Sequence, residues 1–381
     1  MQIRGLTETS ACLLAEEIDA LGIAVRTGVP VDTSPLAGID PREVANPASV
    51  ATGIRTAISD AGLASRLGPK VSVVVDGRGQ VGLGAIMADV RLVAVDASRW
   101  RLSVAGDEQA ATFVGEYDAH AASGAAVAIL QSIAALGRQA RARDLNPSQI
   151  AAAVPGSATP HSIYQPIAPT DSSPIGILPL TDDRTALGIA LPFGSIDAAT
   201  LIAFCEAAIE RGATGIRPAH GRTVLVLGLD HPACDALTET TKTLGFVTAP
   251  ADPRIRIAAC PGAPACASGM IAARDVAAEI AQGIGQDLDP TLSLHVSGCA
   301  KGCAHPGPAA LTIVGDEKGA AFVVGGTAKG LPAGYTAGYE AALGAGRLVA
   351  LVAAERRSRE NATACLTRLG AKRLARTIAQ G

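Results

Sequence analysis

Four cysteines carry the clearest chemistry in this chain. Cys260 and Cys266 lie in ACPGAPACASG, and Cys299 and Cys303 lie in SGCAKGCAHP. Five residues separate the first pair, thirty-two lie between the pairs, and three separate the second. Four thiolates on glycine-rich loops form a ligand set for an iron–sulfur cluster. Structural zinc sites place paired cysteines two to four residues apart, so a gap of five is wide for zinc. Thioredoxin-like motifs have two residues between their cysteines. Met1 is followed by polar sequence with no apolar signal core, so the expected setting is cytoplasmic and reducing, where disulfides are disfavoured. The cluster reading leads, with zinc or unconnected thiols as alternatives. Cys12, Cys205, Cys234 and Cys365 stand alone. Cys12 and Cys205 fall in helical apolar patterns and read as small buried hydrophobes.

The elements that position these thiols follow from length and pattern. At 381 residues and 48% hydrophobic, the chain can build two or three domains with real cores. A net charge of −3 and 3% aromatics give neither bulk attraction to nucleic acid nor a base-stacking platform, so no nucleic-acid partner is expected. No apolar run reaches the length of a membrane span, so no membrane partner is expected.

Strands and helices alternate, and the chain repeats itself. QIRGL at Gln2–Leu6 matches VLVLGL at Val224–Leu229, and Leu21-Gly22 matches Leu244-Gly245, both at an offset of 223. Pro69 with VSVVVDG matches Pro290 with LSLHVSG at an offset of 221. Each half reads as strand, helix, strand, helix, then paired strands. The second unit begins earlier, with a hairpin over Gly176–Gly194. A helix follows over Asp197–Arg211, its apolar face read as Ile196, Leu201, Phe204, Ala208 and Ile209. By the same logic the first unit lacks about fifty residues at its front. Only the second half carries cysteines after its inner strand. Arg78 stands where Cys299 would be, which suggests a site between one metal-bearing half and its diverged twin. The glycines Gly77, Gly79 and Gly82 spell a dinucleotide fingerprint. Too few residues follow for a crossover helix, and a hairpin or close approach to a bound ring is the better reading.

These residues resemble the nitrite and sulfite reductases, and within that superfamily the precorrin-3B synthases. SGCAKGCAHP, SPLAGIDP at Ser34–Pro41 and ADVRL at Ala88–Leu92 carry the closer likeness. Sirohaem reductases have Pro and Asn after the third cysteine, where this chain has Ala300 and Lys301. The resemblance implies an α+β, nitrite/sulfite reductase-like duplicated fold, with ferredoxin-like half-domains and two α/β lobes. Residues 1–30 would be a remnant of the first half-domain and 31–150 the first lobe. Residues 151–230 would be the second half-domain, 231–345 the cluster lobe and 346–381 a helical tail.

The implied reaction is dioxygen-dependent hydroxylation of the tetrapyrrole precorrin-3A in aerobic cobalamin synthesis, with γ-lactone formation. The implied cofactors are a 4Fe–4S cluster on the four cysteines and a non-haem iron, with NADH-derived electrons arriving through a donor protein. Cys303 would lie nearest the substrate, and a helix from Ala267 toward Ile280 would present backbone N–H groups to the cluster. Arg4, Lys70 and Lys301 are the candidate contacts for the substrate's carboxylates, against the alternative of solvated surface charges. His305 is a candidate iron ligand, whereas His295 reads as a core histidine. His161 and His220 flank proline-rich loops without an assigned role. Two departures concern the anion-binding cleft. An arginine of the family falls in the absent front piece, and an Arg–Asn pair expected before SPLAG is replaced by Val29-Pro30, with Arg26 nearby. Two other functions stay open, a sirohaem-dependent sulfite or nitrite reductase and a truncated, non-catalytic cluster- or tetrapyrrole-binding homologue.

Overall fold

The computed structural model describes residues 6–23, 25, 27–154, 173–181 and 184–379. Arg4, Arg26, His161 and the strand expected over Gln2–Leu6 lie outside the described residues, apart from Leu6. Two compact units divide the chain at Asp171/Ser172. Among the described residues no helix is long and apolar enough to cross a membrane.

The first unit opens with α1 (Glu8–Ala20), followed by β1 (Val31–Thr33), α2 (Ala48–Asp60), α3 (Leu63–Arg66) and β2 (Val73–Asp76). Next come β3 (Ala88–Ala94), β4 (Arg99–Gly106), β5 (Thr112–Asp118), α4 (Ala119–Ala135) and α5 (Pro147–Ala153). Its sheet runs β1-β2-β3-β4-β5, with β1–β3 parallel and β3–β5 antiparallel. Both β2 and β3 are buried along their whole length, as strands covered on two faces must be. Ile54 of α2 and Ile129 and Leu130 of α4 fill the core beneath Val73, Val75 and Leu92. Asp118 starts α4 by accepting the N–H groups of His120 and Ala121.

A buried ion pair closes this unit. The Asp89 carboxylate accepts from Ser72 N at 3.1 Å, Ala142 N at 2.9 Å and Arg141 Nη2 at 2.8 Å. Asp89→Asn turns part of this all-acceptor group into a donor facing donors. We expect it to cost about 3 kcal/mol of unfolding free energy in urea titrations. A loss below ~0.5 kcal/mol, as at an ordinary surface site, would contradict this account of the contact.

The second unit holds two sheets. The first comprises β6 (Gly176–Pro179), β7 (Thr185–Ala190), β8 (Gly215–Ala219) and β9 (Thr223–Leu229) in the antiparallel order β6-β7-β9-β8. Helices α6 (Ala198–Glu210) and α7 (His231–Thr243) pack on it through Phe204, Ala208, Cys234 and Leu237. The expected hairpin is β6–β7. Asp197 caps α6 by accepting Thr200 N at 2.9 Å. The apolar face of α6 differs in part from expectation. Phe204 and Ala208 turn onto the sheet as expected, with Ala207 beside them, whereas Leu201 and Ile209 are 39% and 69% exposed. Because α7 packs into this core, it belongs with the β6–β9 sheet, the second sheet along the chain, rather than with the lobe that follows it in sequence.

The last sheet joins β10 (Ile257–Ala259), β11 (Leu294–Ser297), β12 (Ala309–Asp316), β13 (Gly319–Gly326) and β14 (Gly334–Thr336) in that order. Helices α8 (Ala273–Ile284), α9 (Ala341–Glu355), α10 (Ala362–Leu369) and α11 (Ala371–Ala379) cover one face. The C-terminal helices are core rather than tail, since Leu348, Val352, Leu366 and Ile378 are each 1% exposed or less.

The two five-stranded sheets share order and direction, which is the duplication read from sequence. The repeat extends to the helices before them. α1 and α7 are each 13 residues long and coincide end to end at the offset of 223. Their environments differ, since α7 buries Cys234, Leu237 and Thr241 whereas α1 buries none of its residues. Cys12 on α1 is therefore exposed rather than buried as its pattern suggested.

The glycine fingerprint also resolves structurally. Strands β2 and β3 are parallel, joined by residues 77–87 with no helix, so the loop is a helix-free crossover and not a hairpin. Gly79 is required because a Cβ there would strike the Asp40 carboxylate, which accepts Gln80 N and, at 2.9 Å, Gln80 Nε2. The close approach is to the protein's own backbone and carboxylates.

Candidate functional site

Parallel pairing brings the cysteine loops together. Ala259 of β10 lies beside Val296 of β11, so Cys260 leaves the sheet next to Ser297 and Gly298. Both loops sit at the carboxyl ends of parallel strands, where α/β sheets place their sites. Cys260 is 7% exposed, and its Sγ accepts the Gly298 N–H at 3.0 Å. Met270 N donates to Gly298 O at 2.7 Å, and Lys301 Nζ donates to Ser268 Oγ at 2.8 Å. The first loop is also tied to itself, through Cys266 N to Gly262 O and Gly269 N to Cys266 O, both at 2.8 Å. Three glycines allow the backbones to stack. A Cβ on Gly298 would lie 2.9 Å from Gly262 Cα and 3.3 Å from Gly269 Cα. The sequence shows these loops as glycine-rich but assigns no packing role to Gly262, Gly269 or Ser268.

The four candidate cysteines are graded in exposure. Cys260 is buried, Cys266 and Cys299 are half-buried, and Cys303 is exposed; none of the eight cysteines is in a disulfide. Among the described residues no three His, Cys, Asp or Glu side chains group as a single metal ion requires. Four thiolates that each bind a separate iron of a cube need not converge on one point. The donor set fits such a group on a structural observation too, since a backbone N–H already points at the Cys260 sulfur, as hydrogen bonds to cluster sulfurs do. The expected helix start is displaced. α8 begins at Ala273 and not Ala267, because residues 262–271 close into their own hydrogen-bonded loop, with Ala263 N on Ile271 O at 2.9 Å. The helix N-terminus is therefore not adjacent in sequence to Cys266.

The other candidates separate. Lys301 lies within the cysteine loop and is exposed. Lys70 is exposed just before β2, in the first unit. His305 Nε2 lies 3.2 Å from Pro308 O, and its ring meets His295 edge-on at a centroid distance of 5.7 Å. No third ligand completes a set with these two histidines among the described residues. They do not supply a mononuclear iron site of the two-His-one-carboxylate kind among the described residues.

His295 is fully buried between Ala258 and Thr312 on the sheet, with neither ring nitrogen hydrogen-bonded. Burial first, then the charges of His305 and Arg222, push its pKa down to about 4. The unfolded chain binds this proton near pH 6.5 and the folded chain only near pH 4. Stability contributed by neutral His295 is therefore present above the unfolded pKa and lost as pH falls through that window. After allowance for screening, the loss is about 2 kcal/mol. His295→Leu should flatten the fall in thermal midpoint between about pH 6.5 and 4. Parallel curves for variant and parent would contradict the assignment.

In the first unit the matching crossover carries Arg78 at the position of Cys299. There the two loops are joined by the Asp40 carboxylate on Gln80 and by Val44 N on Gly77 O at 2.9 Å. A carboxylate–amide contact and a backbone hydrogen bond thus occupy the place that thiols hold in the second unit.

Comparison with known proteins adds to this geometry. No protein-family profile matches the chain. A precorrin-3B synthase from a Sinorhizobium species is 38% identical over 384 residues, spanning 100% of this chain and 83% of the relative. The structure of the NirA protein of Mycobacterium tuberculosis superposes with a TM-score of 0.68 at 17% identity, covering 90% of this chain and 71% of that one. This structural likeness shows the fold, the duplicated nitrite/sulfite reductase-like arrangement. With sequence identity at that level over its whole length, the chain belongs to the precorrin-3B synthase family.

Proposed function

We propose that this chain catalyses the precorrin-3B synthase reaction, dioxygen-dependent hydroxylation of precorrin-3A followed by γ-lactone closure. The observation that carries the proposal is the pair of interlocked cysteine loops, with Ala300 and Lys301 between the last two ligands, in a chain of this family. One oxygen atom enters the meso carbon between rings A and D as hydroxyl, and the other leaves as water. This takes two electrons and two protons, and the ring A acetate then closes the lactone. A 4Fe–4S cluster on Cys260, Cys266, Cys299 and Cys303 would supply electrons one at a time when bound. NADH-derived electrons would reach it through a donor protein.

The chain's own residues have definable parts in this scheme. The Gly298 N–H donates to the Cys260 sulfur, the kind of backbone contact that orients a cluster-ligating sulfur. The Lys301–Ser268 bond holds the second loop on the first and keeps an ammonium beside the thiols. Cys303, which is exposed, is the ligand proposed to face a bound tetrapyrrole. Lys70 and Lys301 are the described cations proposed to meet the substrate's carboxylates, with Arg4 proposed on sequence alone.

The test is anaerobic reconstitution followed by turnover of precorrin-3A under labelled dioxygen. The expected product carries one labelled oxygen. Sirohaem in the purified protein together with sulfite or nitrite reduction would replace this reading with the reductase. A stable tetrapyrrole complex without turnover would replace it with a binding protein.

A further inference from the structure

A cavity of about 240 Å³ opens on the cysteine-bearing unit beside the start of β11, lined by Arg222, Arg256, His305 and Ser293 over apolar walls that include Ile255 and Leu294. No carboxylate lines it among the described residues. Its polar groups are donors in excess. Arg222 spends one N–H on the Ile257 carbonyl at 3.1 Å and pairs with no acid among the described residues. The Arg256 Nε is buried without a partner, and its Nη2 reaches only the Leu288 carbonyl at 3.4 Å. Asp289, an acid whose carboxylate feels Arg256, is already paired with Arg356 at 2.9 Å. Ser293 Oγ accepts Ala310 N at 3.0 Å, which leaves its own hydrogen to donate. Arg222 also holds a left-handed backbone, φ 63, directly after Gly221 at φ 72. Few residues other than Gly, Asn and Asp occupy such a turn, and an arginine kept there at a conformational cost is a mark of function. Two half-buried guanidinium groups and a hydroxyl, with no acid in the lining, form a donor set that a carboxylate would complete.

We propose that this cavity seats a single carboxylate on a short aliphatic arm, gripped by Arg222 and Arg256. The apolar walls suit methylene groups, and the volume is below that of pockets enclosing whole drug-sized ligands. The arm could belong to a large polycarboxylate or to a free small acid. The proposal does not depend on the reaction proposed above.

The test titrates the full chain at fixed low ionic strength, by calorimetry with propionate and inorganic phosphate and by fluorescence with an octacarboxylate porphyrin. Arg222→Gln and Arg256→Gln should each weaken carboxylate binding about tenfold, as loss of a charge-assisted hydrogen bond does. Lys329→Gln, an exposed charge outside the cavity, should leave it unchanged. Weakening of both porphyrin and propionate assigns the arm of a large ligand, and weakening of propionate alone assigns a free acid. Phosphate binding more tightly than propionate overturns the carboxylate assignment. Arginine variants that keep parental affinity for all three probes overturn the site. Arg222→Lys, which keeps charge but not the fork, should recover part of the affinity if the fold is intact.

Discussion

Cys260→Ser should retain almost none of the iron and acid-labile sulfide that the parent chain takes up on anaerobic reconstitution, while Cys205→Ser should retain all of it. Cys260 is the buried member of the set, and its sulfur already accepts the Gly298 N–H at 3.0 Å. Serine offers a harder oxygen on a shorter bond, at a site where the surrounding glycine backbones leave no slack to bring it closer. Cys205 is half-buried on α6 and packs against the second sheet's core, away from these loops in sequence and fold. Cys303→Ser should act more mildly on folding, because Cys303 is exposed, but should still abolish or shift the EPR signal of the reduced protein. Equal iron content in the Cys260 and Cys205 variants would refute the ligand assignment.

Gly262→Ala should unfold at distinctly lower urea with an unchanged slope, at a cost of about 3 kcal/mol, and should fail to take up iron. Gly262 sits at φ 64, where a Cβ would strike the Ala273 amide and lie 2.6 Å from the Ile271 carbonyl. Both neighbours are backbone and cannot turn aside. Gly245 makes the comparison informative, since it has φ 87 and nothing within 4 Å of a Cβ. Gly245→Ala should therefore lose only the left-handed backbone preference, about 1 kcal/mol, and keep its iron. If the two alanine variants behaved alike, the loop packing would not be what holds the site.

Much of this was readable in the residues, for identifiable reasons. The offsets of 223 and 221 survive as two sheets of the same order and as α1 matched to α7, because buried strands and capped helices keep their apolar period through duplication. The cysteines' placement at strand ends followed from the same alignment. What could not be read was long-range. The closed loop over residues 262–271 depends on backbone bonds to Gly298 and Ile271, and no local pattern reports those, so α8 was expected six residues too early. The face of α6 is legible at Phe204 and Ala208, but the large Leu201 and Ile209 draw the pattern too wide, whereas small Ala207 allows the helix to approach the sheet. The Arg222–Arg256 cavity joins residues thirty-four positions apart, with nothing in either segment to pair them. In the first unit, a dinucleotide-like glycine run proved to be shaped by Asp40, thirty-nine residues before Gly79.

The most direct test of the central claim is a count of iron, acid-labile sulfide and zinc on the anaerobically reconstituted chain, joined to EPR of the dithionite-reduced sample. The account predicts about four iron and four sulfide per chain, and a reduced-cluster signal that Cys303→Ser removes or alters. About one zinc per chain, with no sulfide and no signal, would contradict it.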